Sequence, residues 1–330
     1  MAAQSMTRSV ILEAIIMIPW LLTVHGCSTT QHVQTYVQDA SVHGPVMSPP
    51  VHVVTDNARH AMTVSAYASS QQMNRFKGAV EGTPSGFWLP QWDTVRTRDG
   101  RPLRSTVSSS NLTWNQPDFA GGVNLDIVWS TTALSLGGTF ATGNGSTQGG
   151  WQAGVGFCSG ETSSVKVRFD AGLFGQFLDF ESRSVTITTT TSEWWGSRST
   201  TVDTSFYLDR DSRSGLGYYG SLTINSAKPS WLFNIFLQAN FVVQPLLSYT
   251  PVKRTTVDWV VFLPIESTSG SGDVTTRATF LGITPGIYIE PTPSTVLLAG
   301  VRYLYDVSGT LKEPRSVAIP FVQFGLRAGM

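Results

Sequence analysis

The sequence predicts an all-β fold: an antiparallel, up-and-down transmembrane β-barrel of about ten strands. Three observations predict it. From Gly121 to Met330 apolar and polar residues alternate with a period of two, which puts them on opposite sides of a strand. The connections between these segments run long, short, long, short, as in a membrane barrel with short turns at one end and longer loops at the other. Charged residues are only 13% of the chain, well below the roughly 25% of soluble proteins.

The first candidate strand is 60–68, where Met62, Val64 and Ala66 alternate with Thr63, Ser65 and Tyr67. A long polar section, 69–120, follows and has room for an extra hairpin. Val123, Leu125, Ile127 and Trp129 then alternate with Asn124 and Asp126, and Thr131-Thr132 leads into Leu134, Leu136, Gly138 and Phe140, a tight hairpin. A longer link, 143–150, precedes Trp151 to Phe157, and a short turn leads to Val165, Val167, Phe169, Ala171 and Leu173, opposed by Lys166, Arg168 and Asp170. The polar excursion 181–214 reads as a long loop. Leu216 to Ile224 and 231–243 form the next pair, the latter with Gln238 and Asn240 on its polar face. The section 248–272 includes a hairpin arm near Thr255 to Leu263. The segments 274–289 and 297–305 follow, the second carrying Arg302, and 322–330 closes the chain with Arg327 on its polar face. This makes ten strands; eight or twelve result if the two arms are counted differently. A soluble β-sandwich has similar alternation. Its strands average five or six residues, whereas 165–180 is far longer, and aromatic residues collect near strand ends as a membrane girdle requires.

The chain begins with an export-type segment. Arg8 precedes an apolar run from Val10 to Val24 that is too short for a membrane helix. The run ends Leu22-Thr23-Val24-His25-Gly26-Cys27, which resembles a bacterial lipobox, with His25 as the departure. The resemblance implies a mature protein starting at lipidated Cys27, with Ser28 favouring onward transport to the outer membrane. The expected organisation is therefore a signal peptide at 1–26, a periplasmic tether at 27–58 and a barrel at 59–330. The N-terminus would then lie in the periplasm with the short turns. An ordinary signal peptide with a chance Cys is the alternative.

The last strand resembles the C-terminal recognition signal of outer-membrane barrel proteins: Gln323, Gly325, Ala328 and Met330 fall on its positions, with Met330 replacing the usual Phe. The resemblance implies outer-membrane lipid and the barrel-assembly machinery as partners.

Several functions are disfavoured. Net charge is zero, so nothing suggests a nucleic-acid partner. Cys27 and Cys158 have no metal-type spacing. No cofactor motif occurs. His32, His43, His52 and His60 read as solvated residues of the tether, and no histidine follows Ala61. A Ser-His or Asp-His machine is therefore not expected in the barrel, and a barrel enzyme would have to use Ser, Asp or Glu alone.

Two sites remain. Asn124, Asp126, Lys166, Arg168, Asp170, Gln238, Asn240, Arg302 and Arg327 are expected to face inward, either as a charge network plugging the lumen or as a conduit for a small solute. Trp88, Trp92, Trp194 and Trp195, in the long outside loops, could stack on a surface ligand or pack the loops. The expected function is a non-enzymatic, lipid-anchored barrel, either a narrow channel or a surface-binding or structural protein. A soluble surface lipoprotein with a ligand-binding β-sandwich, for instance one that takes a glycan, is the alternative.

Overall fold

The computed structural model describes residues 27–55, 60–71, 75–80, 110–143, 146–159, 164–194, 197–227, 233–249, 252–260, 263–270 and 274–329. Ten strands form a closed ring in chain order: β2 (Ala61–Ser70), β5 (Phe119–Trp129), β6 (Thr132–Gly143), β7 (Ser146–Cys158), β8 (Val165–Trp194), β9 (Ser197–Ser226), β10 (Asn234–Tyr249), β13 (Val274–Thr292), β14 (Thr295–Asp306) and β16 (Ser316–Gly329). Each pairs antiparallel with its neighbours, and β16 closes on β2 from Phe321↔Ser69 to Gly329↔Ala61. A single closed ring leaves no second sheet to pack against, so the sandwich alternative is excluded.

The period of two decides what each side of the wall meets. Val123, Leu136, Val155, Phe169, Leu222, Leu237, Ile283 and Phe324 point out and are exposed. Asn124, Gln152, Arg168, Thr223, Gln238 and Gln323, from the intervening positions, are buried inside. An exposed apolar surface running around the whole ring is far larger than a soluble monomer tolerates. It suits hydrocarbon, and exposed Trp129, Trp151, Phe140, Tyr303 and Tyr305 add aromatic groups to it.

The ring has a short-turn end and a long-loop end. Ser130 and Thr131 alone join β5 to β6, and Pro293 and Ser294 alone join β13 to β14. At the other end the expected link 143–150 is shorter than its sequence suggests. Strands β6 and β7 pair out to Gly143↔Ser146, leaving only Asn144 and Gly145, a dipeptide favoured in hairpins.

Beyond the long-loop end the excursion 181–214 is not a loop. β8 and β9 continue unbroken for 30 residues each and stay in register to Trp194↔Ser197. β1 (Cys27–His43) pairs antiparallel with the upper half of β8, from Cys27↔Trp194 to His43↔Asp179. β11 (Val252–Val260), the expected hairpin arm, pairs with β1 and with β12 (Leu263–Gly270). The result is a five-stranded blade ordered β9-β8-β1-β11-β12. At its root β4 (Ser110–Asn115) lies parallel to β1, followed outward by β3 (Arg75–Val80) and β15 (Leu311–Glu313).

The N-terminal segment therefore departs from expectation. Residues 27–43 are the central strand of the blade, and 44–55 are almost wholly buried, so these residues of the expected tether 27–58 are not a solvated linker; 56–58 lie outside the described residues. The chain descends from the blade into the lumen over 44–55, and β2 starts at the short-turn end, where Ala61 pairs with Val128 and Gly329. Cys27, paired with the blade's far end, lies on the side opposite the short turns, not with them.

Candidate functional site

The lumen is layered. At the long-loop end it is apolar: Phe174, Leu178, Phe180, Val242, Phe280, Leu304 and Ile319 from the wall pack with Val46 and Met47 of the threaded segment and with Phe76, Leu112, Trp114 and Leu311 of the root strands. Trp114 is fully buried, lies 5.2 Å from the Phe76 ring and 6.1 Å from Phe280, and donates its indole N–H to the Gly44 carbonyl at 2.8 Å. Part of the polar section 69–120 thus forms a lid whose apolar face completes the core.

Below the lid the wall holds the threaded backbone by side-chain amides. Gln71 accepts from Val46 N–H (3.1 Å) and donates to the Val46 carbonyl (3.3 Å). Gln244 accepts from Met47 N–H (3.0 Å) and donates to the Pro45 carbonyl (2.8 Å). Asn225 accepts from Val54 N–H (3.0 Å) and donates to the Val54 carbonyl (2.8 Å). Gln238 and Gln323 donate to the Pro50 and Val51 carbonyls at 2.9 and 3.2 Å. An extended chain with no neighbouring strand has its backbone groups satisfied in this way, as burial requires. An amide offers both a donor and an acceptor, so Gln and Asn imitate the edge of a strand.

Near the short-turn end lies a charge network. The Arg168 guanidinium donates to Asp126 (2.7 and 2.8 Å) and to Asp170 (2.8 and 3.0 Å), and all three side chains are buried. Gly156 stands opposite, and a Cβ there would come within 3.3 Å of two Arg168 nitrogens while colliding with Asp170. Asn124 accepts from Gln152, and Lys166 is buried nearby on β8. Arg327 donates to Glu290 at 2.8 Å and to the Pro293 carbonyl at 3.3 Å. Arg302 is different. It is 4% exposed and sits 4.3 Å over the Phe321 ring and 5.7 Å from Tyr67, with no carboxylate paired to it among the described residues. Asn240 is buried and donates to Thr284 at 3.4 Å.

One sequence expectation about histidine is overturned. The wall carries none, but the threaded segment brings His52 into the lumen, buried, with Nδ1 3.6 Å from Asp126. Sequence order hid this because the two residues belong to separate elements. Among the described residues no hydroxyl hydrogen-bonds the imidazole, which is buried in the lumen. Cys158 is buried with Val54, Val128 and Ala133, a packing role.

The remaining positions separate. Trp194 ends β8 at the far end of the blade, whereas Trp88, Trp92 and Trp195 lie outside the described residues. Gln323 and Gly325 face inward on β16, Ala328 faces out, and Met330 lies outside the described residues.

No protein-family model matches the chain, and no curated protein matches it. Solved structures do. Neisserial surface protein A is 10% identical over 82% of this chain and 97% of its own, with a TM-score of 0.25. LpxR from Salmonella typhimurium is 6% identical over 80% and 99%, at 0.30. The chain is similar to bacterial outer-membrane barrels. A third, the outer membrane protease OmpT from Escherichia coli, is 8% identical over 92% and 97%, at 0.32. Scores this low add nothing to the fold, which rests on the closed ring and its register, and they carry nothing about activity.

Proposed function

We propose that this protein is a non-enzymatic outer-membrane barrel, sealed by its own N-terminal segment, that works at the cell surface through its blade. Of the two roles expected from the sequence, surface binding or structure is favoured over a channel. The observation that carries this is the threaded segment 44–55, clamped by Gln71, Gln244 and Asn225 through both N–H and C=O groups. A chain so held blocks the passage of a solute.

In this reading the short turns face the periplasm, as in other membrane barrels, so the blade and Cys27 stand outside. The lipobox resemblance is kept, with the acyl group on the outer side. Two measurements test the proposal. The purified protein in planar bilayers is expected to pass no current at any voltage; steady conductance rejects the sealed lumen. Ser199→Cys, on exposed β9 of the blade, is expected to react with a membrane-impermeant maleimide in intact cells. Labelling only after lysis rejects the orientation.

A further inference from the structure

Three arginines are buried in the lumen among the described residues, and two of them are neutralised on the spot. Arg168 lies between Asp126 and Asp170, and Arg327 reaches Glu290. Arg302, on the inward face of β14, is the third. It makes no hydrogen bond among the described residues, and its Nε is buried without a partner. Its cation lies over the Phe321 and Tyr67 rings instead.

A guanidinium keeps its proton at any pH a folded protein meets. Taking that charge out of water without a counter-charge is costly, and contact with aromatic faces returns only part of the cost. The lumen's carboxylates are engaged elsewhere. Asp126, Asp170 and Glu290 hold the other two arginines. Asp306, further along β14, accepts from the Ser308 hydroxyl and from the Ser308 and Leu311 N–H groups.

Arg302 borders a cavity of about 10 Å³ between residues 45–48 of the threaded segment and the wall strands β2, β5 and β6. That is room for one particle of about the size of a water molecule. Ser48, Tyr67, Ser69, Gln71 and Thr139 supply its polar lining. Ser69 and Gln71 already donate to the Ala120 and Val46 carbonyls. The hydroxyls of Ser48, Tyr67 and Thr139 donate to no group among the described residues, which leaves them and the guanidinium as the donors around the cavity.

We infer that this cavity is a binding site for one small monatomic anion, chloride in a physiological medium, held by Arg302. The buried cation sets the sign of the ligand, and the volume sets its class. Phosphate, sulfate and carboxylates have several heavy atoms each and are too large. A water molecule fits but brings no charge to offset the guanidinium. Because residues 45–48 form one side of the site, it is complete only when the threaded segment is seated. An ion that binds the folded chain and not the unfolded one stabilises the folded chain by mass action.

The test compares sodium chloride and bromide with sodium gluconate, whose anion is too large for the cavity, at equal ionic strength so that screening is the same. Full-length protein refolded into lipid vesicles in each salt is titrated with urea and followed by its heat-modifiable gel shift. With halide at about ten times its Kd, the folding equilibrium constant is expected to rise about tenfold over that in gluconate. Arg302→Met is expected to unfold at the same urea concentration in all three salts. Anomalous scattering from parent crystals grown in bromide is expected to place one bromide against the Arg302 guanidinium, a readout that does not depend on the variant folding. Equal parent midpoints in halide and gluconate, a halide effect that persists in Arg302→Met, or no bromide at Arg302 overturns the inference. The conductance and labelling measurements decide the sealed-lumen and surface reading separately.

Discussion

Replacing Arg168 by Met is the sharpest test of how the lower lumen is held. The guanidinium spans two buried carboxylates, making two hydrogen bonds to Asp126 and two to Asp170. Met fills much of the same volume but leaves both carboxylates without their cation. Breaking a buried ion pair from one side costs about 3–5 kcal/mol, because the remaining charge is uncompensated. At 1.4 kcal/mol per factor of ten, the folding equilibrium should fall by two to four orders of magnitude. Urea titration of the protein in lipid vesicles, followed by the heat-modifiable gel shift, reads this directly. Adding Asp126→Asn and Asp170→Asn removes the stranded charges, so the triple variant should recover most of the loss. The reasoning fails if Arg168→Met lies within about 1 kcal/mol of the parent, or if the triple variant is no more stable than the single one.

Three further outcomes follow from the same geometry. Arg302→Met should cost under about 2 kcal/mol or stabilise the barrel, since it gives up cation–π contact but also removes a desolvated charge with no carboxylate beside it; the same titration checks it. Combined Gln71→Ala, Gln244→Ala and Asn225→Ala deletes six hydrogen bonds to the threaded backbone, at roughly 1 kcal/mol each. Brief current openings in planar bilayers are expected, and unbroken silence would mean that other contacts hold the segment. Trp114→Ala should destabilise by about 3–5 kcal/mol and make the 69–120 region more sensitive to added protease, as seen by limited digestion of whole cells; unchanged digestion would contradict the lid.

The ten wall strands were legible because one side of each meets hydrocarbon and the other a packed lumen, which imprints a period of two. Val322, Phe324 and Leu326 against Gln323 and Gly325 is the plainest case. The blade left no such imprint. Thr188, Thr189, Thr190 and Thr191 alternate sides of a sheet that is wet on both, so strand and loop read alike. The threaded segment was hidden for another reason. Pro45 to Val54 has no regular pairing, and its partners are single amides up to 272 residues away in sequence. Its valines looked like those of a loose linker, and His52 like a solvated residue, because nothing local says that a wall surrounds them. The inward charges were readable as a set, but the contrast between paired Arg168 and ring-stacked Arg302 depends on distances that spacing does not carry.

The route of the chain also makes the seal captive. At its lower end the threaded segment is tied to β2 by residues 56–60, which stretch at most about 17 Å. β2 itself has 10 residues, about 33 Å of wall. The segment therefore cannot be drawn up and out as a loop. Sliding the other way would drag β1 into the bore and strip it from β8, β4 and β11. Clearing the bore and dismantling the external sheet are consequently one event, and a pull on the blade is felt as tension on the stopper.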